Sequence, residues 1–317
     1  MENINLGVFD IDKQYAAPLG KKGTSTDYTI YNYKGPESYL CAYEPTNYPE
    51  KLQPLIYCAL MTDYAVLVPH SLTAELGEMI VLLNSLEAET YVDFSFMEKE
   101  AFAGLVKGTA LENYKEAPSQ GPASRDFFAT FTPKKPEGSM YVPIDSAFAV
   151  KSVGTVALGQ VYGASVKVHE ELEVFPTGKK CAVRSLQVHD EDVAEAIPGS
   201  RVGLALKGLD AGEIERGNVI AAPGMVECAK SFVLEAKVSR FFKGELKALD
   251  IIFLACAMNY TSVRILEIER NGEAAKMKLE TVNSQPVAFP KGAKIVLAKP
   301  EAKMRIIGAA KFAQKIA

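Results

Sequence analysis

The chain changes hydrophobic period partway along. Near its start Ile4, Leu6, Val8 and Phe9 form the apolar run of a buried strand, and a hairpin is predicted around residues 28–43. LQPLIYCALMTDYAVLVPHS then reads as a helix-like segment running into a short buried strand at Ala65–Val68, as α/β layers do. In TAELGEMIVLLNSL, Leu76, Met79, Ile80, Leu83 and Leu86 recur at three- and four-residue spacing, which predicts a helix. TYVDFSF is predicted as a strand and EKEAFAGLVKGTALENYKE as another helix. The Pro-, Gly- and Ser-rich stretch APSQGPASRD is the expected linker, and Lys134-Lys135 near Pro133 and Pro136 a polar turn.

From Met140 onward the helical period is absent. Short alternating runs recur, broken by Gly, Pro and Asn-Gly, which predicts antiparallel sandwiches or barrels. In SFVLEAKVSRF, Leu234, Ala236 and Val238 face one side and Glu235, Lys237 and Ser239 the other. Asn271-Gly272 joins VRILEIE to AKMKLET, where Met277 and Leu279 alternate with Lys276, Lys278 and Glu280. AAPG at 221–224 divides this region into two pieces, each large enough to close a barrel. The predicted fold class is a multidomain α/β plus all-β protein: an α/β domain over 1–135, then antiparallel β-barrels over 136–221 and 222–317.

Composition narrows the function only modestly. The 317 residues are 48% hydrophobic, enough for real cores. Every apolar run is shorter than the roughly 18 residues of a membrane span, so a cytoplasmic protein without a membrane partner is expected. Cys41, Cys58, Cys181, Cys228 and Cys256 contain no C-x-x-C pair, and they read as buried thiols rather than zinc ligands or disulfides. His70, His169 and His189 lie far apart without the carboxylate spacing of a metal site or a triad, and structural or surface roles are expected. His189-Asp190-Glu191-Asp192 reads as a solvated loop, and Lys21-Lys22-Gly23 as a mobile loop.

Charge is unevenly placed. The net formal charge is −4, but residues 221–317 hold 16 Lys and Arg against 9 Asp and Glu, and the first 220 residues hold 19 against 30. A basic C-terminal module facing a phosphate backbone fits that asymmetry; so does a solvated, salt-laced surface.

One stretch is more specific than any periodicity. Residues 142–220, VPIDSAFAVKSVGTVALGQVYGASVKVHEELEVFPTGKKCAVRSLQVHDEDVAEAIPGSRVGLALKGLDAGEIERGNVI, carry Phe148, Gly154, Thr155, Val156 and Gly159, then Lys167 to Val174, Val183 to His189, Gly199 to Leu206 and Glu215-Arg216-Gly217. At that spacing they resemble the second domain of the elongation factor Tu superfamily of translational GTPases, and within it the SelB selenocysteine-specific factors. Gly154 and Gly159 suit bulges or close backbone approaches, and Val153, Thr155, Val156 and Val161 a half-buried strand. KMRIIGAAKF at 303–312 resembles the closing strand of the superfamily's third domain, also a β-barrel.

The N-terminal third resembles the superfamily's GTP-binding domain in outline only. INLGVF stands as its first strand, GTSTDYTIYNY as its first switch region and ALMTDYAVLV as its fourth strand. A phosphate loop needs Gly-x-x-x-x-Gly-Lys-Ser/Thr, whose small residues open an amide nest, whose lysine pairs with phosphate and whose hydroxyl holds magnesium. Laid from Asp10, those positions hold Asp10, Tyr15, Ala16 and Ala17. Asp-x-Pro-Gly-His corresponds to Tyr43-Glu44-Pro45-Thr46-Asn47, and the guanine-reading Asn-Lys-x-Asp to Asp93-Phe94-Ser95-Phe96. The region is also too short for the first helix and the last strand–helix pair of a complete domain. A SelB-like relative with a degenerate GTPase domain follows, resembling archaeal SelB-like proteins, with no catalytic residues, cofactor or metal.

The resemblance also implies a site. In the superfamily the second domain takes the aminoacyl group and terminal adenosine of tRNA, and Asp145, Phe148, Val156, Gln187 and Arg201 match positions of that pocket. Ser146 departs from a common acid and Leu158 from a common threonine. Arg201 is the residue type SelB places beside the anionic selenocysteine side chain, where a guanidinium would meet a negative group or phosphate. Lys237, Arg240, Lys243 and Lys247 of the third domain are expected to contact backbone phosphates. The expected partners are tRNA or another RNA 3′ end, with the ribosome or translation factors, and not DNA. Two rivals stand beside this reading: a working GTP-dependent elongation factor with an unusual site, and a protein-interaction module.

Overall fold

The computed structural model describes residues 1–134 and 138–316; the expected boundary at 135/136 and part of the turn at Lys134-Lys135 lie outside the described residues. The described chain partitions into two compact units. One comprises Met1–Lys134 with Lys237–Glu245 and Ala298–Ala309, and the other the remainder.

Seven strands form the sheet of the first unit: β1 (Glu2–Asp10), β2 (Lys21–Ser25), β3 (Tyr28–Lys34), β4 (Ser38–Pro45), β5 (Tyr64–Val68), β6 (Thr90–Val92) and β7 (Lys115–Glu116), in the order β2-β3-β4-β1-β5-β6-β7. β4, β1, β5, β6 and β7 run parallel, and the β2–β3 edge is antiparallel. The helices are α1 (Gln53–Met61), α2 (Ala74–Ser85), α3 (Lys99–Val106) and α4 (Pro122–Ala129). A parallel strand covered on both faces must be apolar nearly throughout, and eight of the nine β1 residues are buried. Helix α2 starts where the Thr73 hydroxyl accepts the Leu76 amide at 3.2 Å, and it buries Leu76, Met79, Ile80 and Leu83 as their spacing predicts.

Five local expectations need correction. TYVDFSF is a strand only to Val92, because the Asp93 carboxylate accepts from the Ser95 amide (2.9 Å) and hydroxyl (2.6 Å) and turns the chain away. The helix expected over EKEAFAGLVKGTALENYKE ends at Val106, before Gly108 takes φ +74°; a 3-10 turn at Ala110–Asn113 and β7 follow. Part of APSQGPASRD is helix α4, with Pro122 in its first turn and Phe128 driven into the core against Tyr91, Phe127 and Phe131. The last strand–helix pair is therefore present in shortened form as β7 and α4, whereas only the 3-10 turn Ala17–Leu19 follows β1. Lys21-Lys22-Gly23 lies in strand β2, not in an irregular loop.

The first β-barrel uses β8 (Tyr141–Val150), β9 (Gly154–Gln160), β10 (Val166–Lys167), β11 (Glu171–Phe175), β12 (Lys179–Val188), β13 (Glu191–Val193), β14 (Glu195–Ala196), β15 (Arg201–Lys207) and β16 (Val219–Ala221). Its order β11-β16-β8-β9-β15-β12-β13 closes through a β11–β12 pairing around Val142, Ile144, Ala157, Val174, Val202 and Leu204. Gly159 sits where a Cβ would lie 2.3 Å from the Pro143 carbonyl oxygen, the close approach that strand interiors reserve for glycine. After the short β17 (Val226–Ala229), strands β18 (Ser231–Val238), β19 (Ile251–Cys256), β20 (Asn259–Asn271), β21 (Ala274–Thr281), β22 (Val287–Pro290), β23 (Ile295–Ala298) and β24 (Ile306–Lys315) complete the chain. β18-β21-β20-β19-β23-β24 form a closed barrel, and Leu234, Ala236, Val238, Met277 and Leu279 point into it as their alternation predicts. The mixed α/β sheet and antiparallel barrels match the expected fold class. All five cysteines are free thiols, and no helix among the described residues is long and apolar enough to cross a membrane.

Candidate functional site

Strand register sets the predicted site residues of the first barrel on one surface. Phe148 pairs with Val156 and Val156 with Ala205; Ser146 pairs with Leu158, Leu158 with Gly203, and Gly203 with Gln187; Gln160 pairs with Arg201. Ala157, Val202 and Leu204 point into the core, so side chains alternate and Val156, Leu158, Arg201 and Gly203 face outward. Phe148 is 42% exposed. Gly203 leaves the middle of the row open: a side chain there would stand over Leu158 and Gln187.

Arg201 and Asp145 meet at one end of this face. β8 shifts register between Ile144 and Ser146, and the irregularity accompanies Asp145 at the Arg201 guanidinium. The pairing is bidentate: Nη1 donates to Oδ2, and Nη2 donates to Oδ1 at 3.3 Å. Both side chains are largely buried, and Arg216 Nε donates to the Asp145 carbonyl at 2.9 Å. The Arg201 guanidinium, expected to meet a ligand's negative group or phosphate, pairs with the chain's own carboxylate. Gln187 lies at the other side, where its Nε2 donates to Asp192 Oδ1 at 2.9 Å.

The four basic residues expected on phosphates are all exposed. Lys237 Nζ lies 3.6 Å from a Glu87 carboxylate oxygen, and the Arg240 guanidinium donates to the Lys107 carbonyl at 2.5 Å while lying over the Phe241 ring. Lys243 and Lys247 are exposed, Lys243 in the 237–245 segment and Lys247 ahead of β19.

A second cluster stands at the carboxyl ends of β1, β4 and β5, where parallel α/β sheets commonly place ligands. Asp10 ends β1, and its side chain is 1% exposed. Its Oδ2 accepts the amides of Gln14 (2.8 Å) and Tyr15 (3.0 Å); Oδ1 accepts the Asp12 amide (3.1 Å) and faces His70 Nε2 at 2.8 Å. His70 Nδ1 faces Asp12 Oδ2 at 3.1 Å, and its ring stacks on Phe96 at 4.3 Å. Tyr15 and Ala16 drop into the core, and the Tyr15 hydroxyl donates to the Pro118 carbonyl. Burial pushes the Tyr15 hydroxyl pKa well up.

Glu44 is the last residue but one of β4, and burial followed by the neighbouring Asp10 charge pushes its carboxyl up to about 7, against opposing pulls from Lys13, Tyr31 and Lys22. Its Oε1 is buried with no hydrogen-bond partner among the described residues. No group of three or more His, Cys, Asp or Glu side chains among the described residues could hold a metal ion. His70 was legible only as a lone histidine, because its carboxylate partner Asp10 lies 60 residues away in sequence and is brought close by the β1–β5 pairing.

Comparison with known proteins follows the same division. Residues 154–221 match the family model of elongation factor Tu domain 2. The fold resembles that of SelB from Methanococcus maripaludis in complex with the GTP analogue GppNHp, with a TM-score of 0.82 and 20% identity over 99% of this chain and 79% of that one. Its apo form gives 0.80 and 22%, over 99% and 80%. An α/β sheet domain followed by two such barrels is the architecture of elongation-factor-Tu-type translation factors. An uncharacterized protein of Methanocaldococcus jannaschii is 34% identical over 98% of this chain and its own full length. The selenocysteine-specific elongation factor of Desulfomicrobium baculatum is 31% identical over 55% of this chain and 27% of its own length. The chain belongs to the SelB-like family of the elongation factor Tu superfamily.

Proposed function

We propose that this SelB-like protein binds the acceptor end of a tRNA, or another RNA 3′ end, on the outer face of its first barrel, and that it does so without hydrolysing GTP. The observation that carries the reading is register: strand pairing aligns Phe148, Val156, Gln187 and Arg201, chosen by resemblance, on one open face with Asp145 at its edge. An exposed aromatic ring on the same outer face as a side-chain-free glycine offers a platform on which a terminal base stacks, and such stacking contributes about 1–3 kcal/mol per base. Arg201 and Asp145 rim the platform as a neutral pair. Exposed Lys243 and Lys247 supply phosphate contacts, which make affinity fall with salt.

The loss of GTP chemistry is supported by the residues at the sheet's ligand-facing end. Tyr15 and Ala16 stand where a phosphate loop needs glycine and lysine, and both are buried in the core rather than turned toward a ligand.

Fluorescence anisotropy with a labelled RNA hairpin ending in single-stranded CCA tests the reading. Binding that weakens about 5- to 150-fold in Phe148→Ala, on the stacking magnitude above, is expected. Equal binding by wild type and Phe148→Ala would overturn the assignment of the face. Saturable binding of GTP with magnesium to the wild-type chain would overturn the second half.

A further inference from the structure

We propose that Asp10 is a resident anion: its carboxylate fills from within the amide cradle that follows β1, so the loop is closed to an external phosphate. The inference deepens the GTP-independent half of the proposed function, on which it rests, at the same turn after β1.

Three amides converge on this one carboxylate, those of Asp12, Gln14 and Tyr15, at 2.8–3.1 Å. Amides converging on an anion are the means by which a turn after a first strand grips phosphate. Here the anion is covalently attached, and its side chain is almost fully buried. His70 Nε2 occupies a fourth direction at 2.8 Å, and its Nδ1 reaches Asp12 across the turn. Phe96, from the segment standing at the position of the guanine-reading motif, lies flat on the His70 ring. An incoming phosphate would need the same N–H groups and would meet a like charge at contact distance. A plug of this kind holds the loop in one conformation whatever the nucleotide supply and leaves no seat for the phosphate whose contacts order the switch loops of a GTPase.

Calorimetric titration of inorganic pyrophosphate into the full chain tests the plug, with wild type set against Asp10→Gly. At least tenfold tighter binding is expected in Asp10→Gly once its fold is verified by circular dichroism. Wild-type binding as tight as the variant's, or a folded variant with no gain, overturns the proposal. Amide hydrogen exchange provides a second measurement should Asp10→Gly fail to fold. Gln14 and Tyr15 are expected to be protected in wild type and to exchange at least tenfold faster in His70→Ala. Exchange at open-loop rates in wild type, or unchanged protection in His70→Ala, overturns it.

The two readings fail separately. Absent RNA binding together with a pyrophosphate gain in Asp10→Gly would end the RNA-binding reading while leaving the plug in place. Unprotected amides with intact RNA binding would do the reverse.

Discussion

Replacing Glu44 by Gln gives the sharpest energetic test of the sheet's ligand-facing end. Glu44 is 4% exposed, close to Asp10, and its carboxyl is raised from 4.5 to about 7. Between those values the folded chain binds more protons at this site than the unfolded chain. Stability from this group is therefore fully present below about 4.5, falls as pH rises to about 7 and stays level above. A shift of this size corresponds to about 3 kcal/mol at roughly 1.4 kcal/mol per pKa unit, an upper bound given Lys13 and Lys22 nearby. Glu44→Gln removes the titration and leaves the shape. Urea melts of both proteins are expected to differ by up to about 3 kcal/mol in favour of the variant at pH 8 and to converge near pH 4.5. Comparing the two proteins at each pH cancels the other carboxylates. A difference that stays constant from pH 4.5 to 8 would refute the reasoning.

Two further outcomes follow from geometry alone. The Arg305 guanidinium grips the buried Glu78 carboxylate through Nε (2.7 Å) and Nη2 (2.6 Å), with Tyr48 donating its hydroxyl to the same carboxylate at 2.9 Å. Arg305→Met strands that charge and is expected to cost about 3–5 kcal/mol in urea melts, most of it recovered in Arg305→Met combined with Glu78→Gln. Gly159→Ala forces a methyl group onto the Pro143 carbonyl, where only backbone can yield, and is expected to lower stability by about 2–3 kcal/mol by thermal melting.

What the sequence reveals depends on how far apart the interacting residues lie. Alternation and helical spacing are local, and α2, the β20–β21 hairpin and the inward sides of β18 and β21 follow from them directly. Helix α4 is misread because its start carries linker composition, while its anchor, Phe128, comes later and finds Tyr91 only after folding. The Asp10–His70 contact spans 60 residues, Arg201–Asp145 56 and Arg305–Glu78 227. No periodicity encodes such pairs. The positions on the first barrel's face were legible because a resemblance places them; their partners were not.

The long-range pairs share a logic that bears on recognition. At one place the sequence suggests a receptor for an external anion, Arg201 on the barrel, and at another only the fold does, the turn after β1. At both the folded chain brings its own carboxylate, Asp145 to the guanidinium and Asp10 to the amides. Each carboxylate side chain is at most 5% exposed, so a competing anion would have to expel a buried charge rather than displace water. Discrimination at these points therefore falls to shape and stacking, with Phe148 the exposed ring on the barrel face. In the RNA-binding proposal, attraction to a polyanion falls to the positive charge of residues 221–317. The ligand that proposal calls for is neutral and planar at its end and charged along its length, as is a nucleic-acid strand terminating in an unphosphorylated nucleoside.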